Sequence, residues 1–174
     1  LASGDYDLMQ PMFKMYMDSL PLAKERNRIW FNCEGAFMPE TMNYWGMYCN
    51  IDYGWKRDGL AVSEMVNPYI RWIYSSGLDL AMMMLDYYEH TGDEKMAREM
   101  LIPWADAMLR YFDTRYKRDA EGKLLLDPTQ AIETYQSGVT NDTPTVAGLQ
   151  AVLPRLLSLP AELTGEEIRT RWTR

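Results

Sequence analysis

The turn His90-Thr91-Gly92-Asp93 most constrains the fold, because it separates two long apolar runs that both repeat at helical spacing. Gly92 supplies the left-handed residue that ends a helix, and Asp93 supplies a side-chain acceptor for the first free N–H groups of the next one. Upstream, Pro68 to about His90 reads as one helix. Trp72, Leu78, Met82, Met83, Leu85 and Tyr87 leave little polar face beyond Arg71, Asp79, Asp86 and Glu89, so this helix is expected to be buried on most sides. Downstream, Met96, Met100, Leu101, Trp104, Met108, Leu109 and Phe112 recur, with Glu94, Lys95, Arg98, Glu99, Asp106, Arg110 and Arg115 opposite them. The second helix is therefore expected to face solvent on the outside of the hairpin, with Pro103 starting or kinking a segment.

The flanking segments extend the helical pattern. Leu8, Met9, Met12, Phe13, Met15, Tyr16 and Leu20 predict a helix interrupted at Pro21 and resumed from Leu22 to Phe31. After the hairpin, Asp119-Ala120-Glu121-Gly122 signals a turn and Lys123-Leu124-Leu125-Leu126 a short apolar run able to form a β-bridge. A third helix follows, capped by Asn141, Asp142 or Thr143, with Pro144 in its first turn. Val146, Leu149, Val152, Leu153, Leu156 and Leu157 form its buried stripe, which contains Pro154. Leu159-Pro160 stops it, and Thr164-Gly165-Glu166-Glu167 opens a fourth. Four or five helices make the expected fold class all-α, with short β elements in loops.

Composition excludes several classes. With 47% hydrophobic and 25% charged residues, the 174-residue chain suits a folded domain rather than a disordered segment. The 18 Lys and Arg against 25 Asp and Glu give a net charge of −7 and lie mixed on helix faces, which argues against a nucleic-acid partner. No run approaches a membrane span, and no signal peptide is visible. Two cysteines without a CxxC pair and a single histidine give no ordinary His/Cys metal site, and no cofactor is expected. Cys33 and Cys49 are open to two readings, thiols or one disulfide, of which thiols are the expected state. His90 is expected to favour a helix C-terminus, and the 14 methionines to fill irregular gaps between helices.

Two loops carry the chemistry. Asp127-Pro128-Thr129-Gln130-Ala131-Ile132-Glu133-Thr134-Tyr135 places one carboxylate among small, polar and aromatic residues, directly after the hairpin. Asn32 to Glu40 is a second polar and aromatic loop, and Glu34–Trp45 is the stretch that could line a cleft with the first. Tyr44, Trp45, Trp55 and Tyr135 beside Glu34, Glu40, Asn43 and Gln136 are the mixture that sugar binding needs, with aromatic faces for pyranose C–H groups and polar groups for the hydroxyls. Core packing of the aromatics and an ordinary capping or ion-paired role for Glu133 are the structural alternatives.

The order of Tyr88-Glu89-His90-Thr91-Gly92-Asp93, an outer helix, Gly122-Lys123-Leu124-Leu125-Leu126-Asp127-Pro128-Thr129, a loop Glu and Thr143-Pro144-Thr145-Val146-Ala147-Gly148-Leu149 resembles the catalytic domain of glycoside hydrolase family 95 and its six-hairpin relatives. The similarity runs from about Asp7 to the end. It implies an (α/α)6 toroid, α-L-fucosyl or related galactosyl substrates and an inverting mechanism, with Glu133 as general acid and a base on a later hairpin beyond this chain. Pro39-Glu40-Thr41-Met42-Asn43-Tyr44-Trp45-Gly46 is similar to the family's His-Asn-Thr-Asp-x-Trp-Gly sugar-contacting segment, with Thr41, Trp45 and Gly46 matching when one residue is inserted and the His missing. The Glu133 loop reads Ala131-Ile132-Glu133-Thr134 where the family tends to Ser-Pro-Glu-Asn.

A toroid of twelve helices of about 11–20 residues does not fit this length, so the expectation is a fragment of one catalytic domain, residues 1–174, completed by the remainder of a parent chain. The resemblance also implies an exported enzyme. The implied site is Glu133 as the catalytic residue with Glu34, Glu40, Thr41, Asn43, Trp45 and Tyr135 on the sugar, both loops lining one cleft at the mouth of the toroid. A noncatalytic carbohydrate-binding or interaction module, and a phosphorylase or lyase on the same scaffold, are the alternatives.

Overall fold

The computed structural model describes residues 2–174 and is mostly helical, with two short strands. A 3-10 turn at Tyr6–Met9 leads into α1, Gln10–Phe31. Pro21 does not interrupt α1, contrary to the sequence expectation. It is exposed, while buried Leu20 and Ala23 carry the helix across. A long irregular segment follows, containing the single turn α2, Asn50–Tyr53.

The hairpin forms with one displaced boundary. Helix α3 spans Ser76–Thr91 rather than starting at Pro68. The buried amide of Gln130 takes up the intervening backbone: its Nε2 donates to the carbonyls of Tyr69 at 2.7 Å and Pro68 at 3.2 Å, and its Oε1 accepts from the Trp72 N–H at 3.2 Å. Groups that a helix would pair with each other are thus spent on a distant side chain. At the other end Gly92 adopts φ 65° and donates to the Tyr88 carbonyl at 2.8 Å. Asp93 then caps α4, Glu94–Met96, by accepting from the Met96 N–H at 3.0 Å.

A π turn at Ala97–Leu101 joins α4 to α5, Ile102–Arg115. Pro103 has no N–H to offer the preceding turn, and the backbone widens just before it. Glu94, Lys95, Arg98 and Glu99 face solvent as expected, but α5 is not an outer helix. Trp104, Ala105 and Tyr111 are wholly buried. The indole N–H of Trp104 donates to the Gly77 carbonyl at 2.8 Å, tying α5 to the start of α3. Arg115, predicted to face water, sits 4.4 Å over the Phe31 ring.

Strands β1, Lys117–Arg118, and β2, Leu124–Leu125, pair antiparallel, with Lys117 opposite Leu125. Asp119 closes their turn by accepting from the N–H groups of Glu121 and Lys123. Helix α6, Thr143–Ser158, is capped by Asp142, which accepts from the Thr145 N–H at 2.9 Å, and it continues through Pro154. Its predicted stripe is buried at Val152 and Leu156 and half-buried at the other four positions. After the turn α7, Ala161–Thr164, helix α8, Glu166–Trp172, covers Asp106, which accepts from Arg171 at 3.1 Å and from the Trp172 indole at 3.2 Å.

The core lies between α1, α3 and α5, and α6 packs on α3. Its aromatic centre joins Phe37 edge-on to Tyr74, ring centroids 5.0 Å apart, and to Tyr111 at 5.2 Å. Phe37 arrives there because the chain meets α5 closely at Gly35, whose φ is 78° and whose missing Cβ would strike the Ala107 carbonyl and the Tyr111 amide. Both cysteines are free thiols. The His90 ring donates from Nδ1 to the Asp86 carbonyl at 2.7 Å in the last turn of α3, the helix-end role expected of it. Among the described residues no helix is long and apolar enough to cross a membrane.

Candidate carboxyl site

The loop that carries Glu40 is clamped from below. Arg26 of α1 is buried, and its guanidinium donates to the Gly46 carbonyl at 2.6 Å and to the Phe37 carbonyl, thereby holding both shoulders of the segment in which Glu40 lies. The same group sits 4.6 Å over the Phe37 ring. Burial lowers the Arg26 pKa to about 10, which leaves it cationic at neutral pH.

The Glu133 loop is closed by its own backbone. Thr129 and Val139 exchange N–H···O bonds of 2.9 and 2.8 Å, and Asn141 receives the Leu126 N–H on its side chain at 2.9 Å. The chain between these ties projects as a tip, with Glu133, Thr134, Tyr135 and Gln136 all exposed. A turn from Ile132 to Tyr135 shapes it, the Tyr135 N–H donating to the Ile132 carbonyl at 3.1 Å.

These two loops bring Glu40 and Glu133 together. Glu40 holds its proton above the ordinary glutamate value of 4.5, first because of partial burial, then because of the charge of Glu133 and a hydrogen bond to it, and finally because of Asp52. Asp52 lies in α2 and is buried. Its two oxygens accept from the Thr41 hydroxyl at 3.1 Å and the Asn67 amide at 2.7 Å. None of the three carboxyls pairs with a basic side chain among the described residues.

A continuous set of hydrogen bonds joins the loops. Thr41, next to Glu40, bonds Asp52; Asp52 bonds Asn67 through both side chain and backbone; and Asn67 accepts the Tyr69 N–H at 2.9 Å. Gln130 then bonds the Tyr69 carbonyl and also donates to the Ile132 carbonyl at 3.3 Å, the residue before Glu133. Asp52, Asn67 and Gln130 were not singled out in the sequence. Their importance comes from partners far along the chain, and no local pattern marks it.

The other predicted contacts disperse. Glu34 forms an exposed ion pair with Arg110, and its backbone is sewn to Thr114 of α5 and Asn27 of α1, so it does not join the carboxyl pair. Asn43 spends its side-chain oxygen on the N–H groups of Trp45 and Met47, fixing a tight turn. Tyr44 and Trp45 stand out from that turn and, with Lys14, Met15, Asp18 and Leu22, line an open groove of about 520 Å³ along α1. A second groove of about 510 Å³ runs beside Arg169 at α8. Neither of these two grooves is lined by Glu40 or Glu133. Trp55 is the most exposed aromatic, at 77% of its full accessibility.

The chemistry available at the pair is proton transfer. A carboxyl that holds its proton above the ordinary glutamate range, beside a second carboxyl, can deliver a proton to a leaving oxygen. No group of three or more His, Cys, Asp or Glu side chains among the described residues is placed to hold a metal. No protein-family model matches the chain, and no curated protein matches it.

Proposed function

We propose that this chain is part of a glycoside hydrolase catalytic domain of the six-hairpin, (α/α)6 kind, acting on α-L-fucosyl or related galactosyl sugars. The observation that carries this reading is the meeting of Glu40 and Glu133 across two loops that are remote in sequence. The order of motifs resembling family 95 supplies the choice of scaffold and sugar class.

The geometry refines the role first expected of Glu133 alone. Inverting hydrolysis uses an acid and a base about 6.5–9.5 Å apart, so that water fits between base and sugar. Carboxyls in hydrogen-bond contact leave no such gap, so Glu40 and Glu133 together supply the acid half. The single proton of the pair rests on Glu40, passes to Glu133 across their contact, and is delivered from Glu133 at the exposed tip to the leaving oxygen, which leaves both carboxyls ionised. The water-activating carboxylate belongs to the remainder of the toroid. Tyr135 beside Glu133 offers an exposed ring for a pyranose face.

Sugar release from aryl α-L-fucoside, α- and β-galactoside and rhamnoside by the full-length protein tests the reading. Release of one sugar, reduced about a hundredfold or more by Glu133→Gln, is the expected result. The open exposure of the Glu133 tip favours a second reading, a noncatalytic sugar-binding module. Binding without release would select it, and a strict requirement for phosphate would indicate a phosphorylase.

A further inference from the structure

The strongest unassigned feature is the buried carboxylate beside the pair. Asp52 is buried and accepts hydrogen bonds on both oxygens, yet forms no salt bridge among the described residues. A buried, unpaired charge is costly, and a stable fold has no need of one in a single-turn helix on an irregular segment. Its two partners are informative. Thr41 adjoins Glu40, and Asn67 leads through Tyr69 and Gln130 to Ile132, which adjoins Glu133. Asp52 therefore stands at the midpoint of the frame that joins the two loops.

We propose that Asp52 is the positioning residue of the carboxyl pair: its hydrogen bonds to Thr41 and Asn67 set the approach of Glu40 to Glu133, and its own carboxylate stands beside Glu40. This rests on the assignment of the pair as the acid of the site. The groups around Glu40 bear it out. Glu133 and Asp52 both oppose its ionisation. The Tyr48 hydroxyl, buried and without a hydrogen-bond partner among the described residues, feels Glu40, Asp52 and Arg26 together, and burial pushes it far above the usual phenol range. The neighbouring cations are spent on backbone carbonyls: Arg26 on Phe37 and Gly46, Arg57 on Tyr53, Ala61 and Glu64, and Arg71 on Met65 and Val66. None of them forms a salt bridge with Glu40, Glu133 or Asp52 among the described residues.

The experiment is the side-chain carboxyl titration of Glu40, followed by ¹³C NMR in the wild-type chain and in Asp52→Asn. The substitution is nearly isosteric. The new amide still accepts from Asn67, and the Thr41 hydroxyl can reverse to accept from it, so the charge is removed while the frame remains. Glu40 is expected to titrate at lower pH in the variant. An unchanged Glu40 titration in a folded Asp52→Asn protein would overturn the proposal. Should that variant not fold, Thr41→Val at its exposed position cuts the tether instead: release of Glu40 from Glu133 is expected to lower its titration, and an unchanged one overturns the positioning role. Neither arm measures sugar release, so failure here is distinct from failure of the hydrolase reading.

Discussion

The carboxyl of Glu40 stands against that of Glu133 so that the charge of the second opposes ionisation of the first. The two residues come from loops on either side of the α3–α5 hairpin, and their meeting depends on Arg26 beneath one loop and Gln130 beneath the other.

Stability should therefore depend on pH through Glu40. Its folded-state pKa lies above the ordinary value of 4.5, so the native state binds the proton more tightly than the unfolded chain. The sign follows from linkage: as pH rises past the ordinary value and through the folded-state value, the native state loses stability, and the penalty is complete above that. Glu40→Gln should thus gain stability over wild type at neutral pH and lose that advantage below about pH 4. Urea melts at both pH values read the difference.

Arg26→Met should destabilise the fold by about 2–4 kcal/mol, because the buried carbonyls of Phe37 and Gly46 would lose charge-assisted donors. Arg26→Lys should recover only part of this, since one ammonium does not reproduce the planar fork that spans both carbonyls. The urea midpoint at unchanged m-value is the check.

Gln130→Ala should cost roughly 2–4 kcal/mol, since its buried amide serves the backbone of Pro68, Tyr69, Trp72 and Ile132. It should also release the Glu133 tip. Faster amide exchange at Tyr69, Trp72 and Ile132, with α3 still protected, would distinguish that local release from global destabilisation.

Trp104→Phe should lower stability by about 1–3 kcal/mol, as the Gly77 carbonyl is left without its indole donor in a fully buried place. Thermal unfolding followed by circular dichroism reads this directly.

The parts of the fold visible in the sequence are those fixed by neighbouring residues. Gly92 and Asp93 punctuate the hairpin, Asp142 caps α6, and Asp119-Ala120-Glu121-Gly122 closes β1 to β2, each through bonds a few residues long. The errors fall where distant groups decide. Pro68 to Trp72 looked helical, but Gln130 captures its backbone. The charged stripe of α5 suggested an outer helix, but α8 covers Asp106 and Arg115 lies on Phe31.

The site follows the same division. Glu133 and Glu40 were visible as carboxylates in polar and aromatic loops, and the loops do meet at these two residues. Glu34 was not distinguishable from them, because its partner Arg110 lies far along the chain on α5. Asp52 sits in Asn50-Ile51-Asp52-Tyr53, a stretch with no motif, and owes its place to Thr41 and Asn67.

The most direct test of the central claim is a double-mutant cycle on sugar release by the full-length protein, using Glu40→Gln, Glu133→Gln and the two combined. Residues that act as one acid should each cost about a hundredfold or more alone, and the combined variant should lose little beyond the worse single one. Rates unchanged by either substitution, or losses that simply multiply, would contradict a shared catalytic role for Glu40 and Glu133.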